Sequence, residues 1–132
     1  MDILEAINEL LHGEGVPMLG RDMADAEAIS YAQSLPLLKP FCAVRNWIWI
    51  DLEMPDAVRT KIMSDGLQPV MIYAHSVVFD SAGRFNPGDW VRSTPLAKLS
   101  DGYLFETQNT IYVLIGQGIR KSAQLSTVIH VF

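Results

Sequence analysis

The stretch VLIGQGIRKS, residues 113–122, has two readings that lead to different folds. An apolar run ending at Ile115, the glycines Gly116 and Gly118, and then Arg120, Lys121 and Ser122 trace a strand, a phosphate-binding loop and the start of a helix. A Walker loop places glycine directly before its lysine so that the backbone can wrap the phosphate; here that position is Arg120. It also needs a helix beginning at the Lys-Ser pair. The residues that follow end in LSTVIHVF, 125–132, which alternates like a strand. A dinucleotide fingerprint fails as well, because its third glycine falls on Lys121 and no acidic residue follows. The stretch therefore predicts a glycine turn joining two antiparallel strands.

Working back from that turn, the pattern is one short strand after another. TIYVLIG (110–116) is preceded by the turn QN, then YLFET (103–107), then the turn SDG, then DWVRSTPLAKL (89–99). Pro87 and Gly88 suit the two central positions of a turn in NPGD, and DSAGR closes the strand VMIYAHSVVFD (70–80). Further upstream, VRNWIWIDLE (44–53) puts Ile48, Ile50 and Leu52 on one face and Trp47, Trp49 and Asp51 on the other, again a strand. Between these two strands a short helix near 55–65 has Pro55 at its start and Gly66 at its stop.

The N-terminal part, 1–36, reads as helical. Asp2 caps a first helix with Glu5 three residues on, and Ile3, Leu4, Ile7, Leu10 and Leu11 share a face. A second helix over RDMADAEAISYAQSL takes Asp22 as its cap, Met23, Ala26, Ile29 and Leu35 as its apolar face, and Pro36 as its stop. The expected fold is one α+β domain over residues 1–132. Its N-terminal helices pack on a curled, mostly antiparallel sheet of about five to six strands, and residues 45–132 are mainly β. Both faces of MIYAHSVVF are apolar, which suits cover on both sides or a self-association surface.

Composition narrows the function classes. Of 132 residues 49% are hydrophobic and 19% charged, an ordinary globular balance. The net charge is −5. Residues 1–66 hold eleven acids against five bases, and residues 67–132 four acids against five bases. An acidic chain without a basic stripe is a poor match for nucleic acid. No apolar run is long enough to span a bilayer and the acidic N-terminus does not read as a secretion signal, so a cytoplasmic location is expected. The single cysteine, Cys42, excludes an internal disulfide and any multi-cysteine metal site. His12, His75 and His130 are scattered without ligand spacing, so no metal and no cofactor is expected. Cys42 sits in the apolar setting PFCAV, which raises a thiol pKa and argues against a Cys42–His75 nucleophile pair.

Two resemblances remain. VRSTPL followed by FET resembles the Ser-Thr-Ser strand and downstream glutamate of the ADP-ribosyltransferases, which bind NAD. The resemblance implies Ser93 and Thr94 as the Ser-Thr pair and Glu106 as the catalytic acid. Pro95 replaces the last serine, and no Glu-x-Glu or Gln-x-Glu pattern precedes Glu106. GDWVRSTPL with TIYVLIGQGIRK resembles a family of small, uncharacterised bacterial proteins that also occur in phages and prophages. That similarity runs from about Tyr73 to Lys121 and less specifically over DAEAISYAQ. It implies a bacterial setting and no catalytic residue.

These readings favour a non-enzymatic protein-binding module: a phage- or prophage-encoded inhibitor of a host system, or an immunity-type partner. A protein partner is expected, and a homodimer is compatible with this. The binding candidates are Trp90 with Arg92 two residues on, the acidic residues Asp22, Asp25 and Glu27, and the basic pair Arg120 and Lys121. The alternative is a small ADP-ribosyltransferase-like enzyme using Ser93, Thr94 and Glu106.

Overall fold

A computed structural model describes residues 2–34 and 38–131. The apolar position at Leu35 and the stop at Pro36 lie outside the described residues. In chain order the elements are α1 (Ile3–His12), β1 (Val16–Leu19), α2 (Asp25–Ser34), β2 (Phe41–Glu53), α3 (Asp56–Ser64), β3 (Val70–Asp80), β4 (Val91–Arg92), β5 (Lys98–Ser100), β6 (Leu104–Glu106), β7 (Ile111–Leu114), β8 (Gln117–Gln124) and α4 (Leu125–Val128).

The strands form one mixed sheet built around β2. β3 pairs antiparallel along one edge of β2. On the other edge β7 pairs with residues 41–44 and β8 with residues 48–53, both parallel. The sheet continues antiparallel from β7 to β6 and β5, and from β8 to β1. It also curls. Segment 91–100 pairs at its start with β3, through Tyr73↔Arg92, and with the residues just before it, through the Gln68↔Leu96 bridge, and at its end with β6, where the Ala97 N–H donates to Glu106 O at 2.8 Å. Five of the seven strand pairings are antiparallel, so the α+β, mostly antiparallel reading stands.

The reading of residues 113–122 as a reversing turn does not stand. β7 and β8 run in the same direction beside β2, and the offset of their partners grows by one residue between Val44↔Leu114 and Ile48↔Ile119. The glycines mark a bulge in one long lane, with Gly116 at φ +69. The final apolar run is also corrected: LSTV is the helix α4, and the polar stretch before it is the strand. Leu125, Val128 and Val131 share a helical face as well as alternate positions share a strand face, and a run this short has no period of its own. Val128 and Val131 settle the matter by burying against Leu10 of α1.

Several local readings hold. The Asp2 carboxylate accepts the Glu5 N–H at 2.8 Å. The turn Asn86–Asp89 closes with Gly88 at φ +93, and Asp101 and Gly102 carry the positive φ of the hairpin turn before β6. Other boundaries shift. α2 begins at Asp25, with the Ala24 carbonyl accepting the Ala28 N–H, so Asp22 lies before the helix and is not its cap. β1 interrupts the supposedly all-helical first part. DWVRSTPLAKL breaks into β4 and β5.

Both faces of the sheet are covered. Trp47 and Trp49 join the larger apolar cluster with Met23, Ala28 and Ala32 around α2. Ile48, Ile50 and Leu52 join the smaller one with Leu10, Val128 and Val131 from α1 and the C-terminus. The two-sided strand pattern of residues 47–52 thus produces a sheet between two helical layers, not helices on one face. α3 buries no residue and serves as an external link between β2 and β3.

Candidate functional site

Trp90 stands at the end of a loop that two local devices hold in place. At its start, the buried Asp80 carboxylate accepts the Arg84 backbone N–H at 2.8 Å and is forked by the guanidinium at 2.9 and 3.1 Å. Arg84 also donates to Thr110 Oγ1 at 2.9 Å, tying the end of β3 to the start of β7. Burial pushes the Asp80 carboxyl upward, and the hydrogen bonds and charge of Arg84 outweigh that, so the group lies below the ordinary carboxylate range. At the end of the loop is the Asn86–Asp89 turn. Trp90 follows, 42% exposed, with its indole stacked on Tyr73 at 5.9 Å and an interplanar angle of 26°.

Arg92 sits opposite Tyr73 in the β3–β4 register, and its guanidinium donates to Val128 O at 2.9 Å, capping α4. Trp90 and Arg92 share a crevice of about 260 Å³ with Phe85, Val91 and Val131. Trp90 and Arg92 thus line one crevice, with the arginine directed to a helix end and Tyr73 supplying the stacking partner of the indole.

The other binding candidates are dispersed. Arg120 forks Asp51 at 2.7 and 3.0 Å and lies over the Trp49 ring at 5.7 Å; the hydrogen bond and charge of Asp51 raise its pKa. Lys121 donates to the Glu9 carbonyl at the end of α1. The basic pair therefore fastens β8 to β2 and to α1. Asp22, Asp25 and Glu27 are all exposed, and Asp25 accepts from Arg45 at 2.5 Å. Arg45 also donates to Met23 O at 2.6 Å, fixing the chain before α2.

The three residues of the enzyme reading occupy different settings. Ser93 is 2% exposed; its hydroxyl accepts the Ile72 N–H at 2.9 Å and donates to Thr94 O at 2.8 Å. Thr94 is exposed. Glu106 pairs with Lys39 at 2.8 Å. Among the described residues no hydrogen bond joins Glu106 to either hydroxyl residue. Cys42 is fully buried in β2, and burial, reinforced by the Asp80 charge, pushes its thiol up to about 12.

Sequence reasoning missed one cluster at the sheet edge, in which Arg21 is exposed, Tyr31 half-buried and Tyr103 buried. The Arg21 guanidinium lies over the Tyr31 and Tyr103 rings at 5.0 and 5.4 Å and donates to Tyr103 Oη at 3.2 Å, while the Tyr103 hydroxyl donates to that of Tyr31. These residues come from the ends of β1 and the β5–β6 turn and from α2, and no spacing along the chain links them. Among the described residues no group of three or more His, Cys, Asp or Glu side chains converges as a metal site, and no helix is long and apolar enough to cross a membrane.

No curated protein and no solved structure is significantly similar to the chain. A family does match, over residues 18–130, well beyond the Tyr73–Lys121 stretch on which the resemblance rests, and it takes in Trp90, Arg92 and the whole sheet. The chain belongs to the family described as Domain of unknown function (DUF6957).

Proposed function

We propose that the chain is a protein-binding module whose contact surface is centred on Trp90. The observation that carries this reading is an exposed indole held flat on Tyr73 beside a crevice lined by Phe85, Val91 and Val131. Tryptophan is among the residues that dominate binding energy at interfaces. A ring already ordered by stacking loses little freedom when a partner covers it.

The finer reading is a phage- or prophage-encoded inhibitor of a host system, or an immunity-type partner, acting in the bacterial cytoplasm. Its support is the motif resemblance, which includes Trp90 and Arg92 in GDWVRSTPL. The test is affinity capture from a related bacterial lysate with the wild type, Trp90→Ala and the charge-reversed pair Asp22→Lys/Glu27→Lys. A stoichiometric partner should stay with the charge-reversed protein and weaken at least about tenfold with Trp90→Ala, a loss of ~1–2 kcal/mol. Circular dichroism should show that Trp90→Ala keeps its fold. A partner held equally by Trp90→Ala, or self-association alone, would overturn the reading.

A further inference from the structure

The sheet is creased within a few residues of one another on three adjacent strands. In β2, Asn46 takes φ +53, a left-handed conformation in the middle of a strand paired on both edges. In the neighbouring lane, β7 gives way to β8 through the Gly116 bulge, and on the other side the β2–β3 register slips between Ala43 and Val44. Bulges of this kind re-aim side chains and concentrate at the rims of binding sites. A left-handed residue persists only where its surroundings hold it. Here the crease opens a crevice of about 340 Å³, lined by Leu11, Asn46, Trp47, Ile48, His75 and the Gln117–Ile119 segment. Pockets that hold small molecules begin at roughly 300 Å³.

The polar members of this lining form a row. Asn46 falls between the pairs Arg45↔Ser76 and Trp47↔Ala74, opposite His75. Gln117 stands two residues before the Ile48↔Ile119 register, on the other side of Asn46. Adjacent strands are about 4.8 Å apart, so the three side chains follow one another across the same sheet face. His75 is fixed by three contacts. Its Nε2–H donates to Leu11 O at 3.0 Å, His12 stacks on it at 5.7 Å, and Tyr73 meets it edge-on at 4.9 Å. With Nε2–H committed to Leu11 O, Nδ1 is the ring's remaining polar atom. Asn46 and Gln117 each carry both donors and an acceptor. Among the described residues no Asp, Glu, Lys or Arg lines the crevice, and Leu11, Ile48 and Ile119 make it otherwise apolar.

We propose that the crease is a binding site for a small uncharged molecule with an amide-type edge, such as a nucleobase or a carboxamide, whose adjacent donor and acceptor meet the amides of Asn46 and Gln117. The assignment is independent of the Trp90 surface. It is tested by titrating uracil, adenine and nicotinamide to millimolar concentration into the isotopically labelled full chain, with adenosine monophosphate as the charged comparison. At least one neutral probe should produce saturable shifts in the backbone amides of residues 46–48, 75 and 117–119. Gln117→Ala and Asn46→Gly should each weaken that binding tenfold or more. Asn46→Gly should also keep or raise the thermal midpoint, because φ +53 is unstrained for glycine, while Asn46→Ala lowers it. The proposal is overturned if no neutral probe shifts these amides, if only the monophosphate does, or if Asn46→Gly lowers the midpoint as much as Asn46→Ala. The last outcome would make the Asn46 side chain structural.

Discussion

Asp80 shows how one side chain can hold a loop. It is 6% exposed, and its partner Arg84 lies four residues away, so the pair closes the turn and braces β7 through Thr110. Its lowered pKa has a defined consequence for pH dependence. A carboxyl that ionises more readily in the folded state than in the unfolded one stabilises the fold above its unfolded pKa of about 4, and that stability disappears as the pH falls through the lower folded value. Asp80→Asn should therefore lower stability at neutral pH by about 2 kcal/mol, less than the roughly 3–5 of a wholly buried pair because the Arg84 side chain is 38% exposed. The gap between variant and wild type should narrow below about pH 4. Denaturant titrations across that range measure it, and a gap independent of pH would separate Asp80 from the effect. The DSAGR stretch announced a turn, and the carboxylate at its first position is a usual turn residue. The brace to Thr110 was invisible, because it depends on β3 and β7 flanking the same strand.

β1 shows an element placed by its partner. VPML has no strand periodicity to speak of, and its Val16 and Leu19 are exposed. It becomes a strand because β8 offers a free edge and Gly20 can approach the Gly116 carbonyl, to which its N–H donates at 2.9 Å. As an outer strand β1 is open to pairing with another chain, and Pro17 in its middle has no N–H to offer. Pro17→Thr should restore that donor and increase self-association at high concentration, as read by native mass or light scattering. A variant that stays as monodisperse as the wild type would show that Pro17 does not guard the edge. α4 teaches the same lesson from the other direction. Its residues alternate well enough for a strand, but Val128 and Val131 find their burial by coiling back onto Leu10.

In the whole molecule the decisive contact is between β8 and Trp47 of the neighbouring strand β2. Gly118 lies against Trp47, and a Cβ there would collide with both the indole ring and the Trp47 carbonyl. The indole N–H in turn donates to Ile115 O at 3.1 Å in the same bulge. Gly118→Ala should therefore destabilise the fold by about 1–3 kcal/mol through overpacking, measured by chemical denaturation. An unchanged midpoint would mean that the lane between β7 and β8 can slide away from Trp47. Residues 113–122 read as a glycine turn between antiparallel strands, whereas the chain keeps its direction through the Gly116 bulge and continues beside β2. The sequence by itself determined the α+β class, the two faces of residues 47–52, the helix cap at Asp2, the helix start at Pro55 to within one residue, and the turns at 86–89 and 100–102, because each rests on local periodicity or on the preference of a single residue. Only the tertiary structure decided that β7 and β8 run parallel to β2, that the C-terminal run is a helix, and that Asn46, His75 and Gln117 share one crevice. Strand direction and convergence depend on which edges remain unpaired and which apolar surfaces remain uncovered, and those are properties of the assembled sheet.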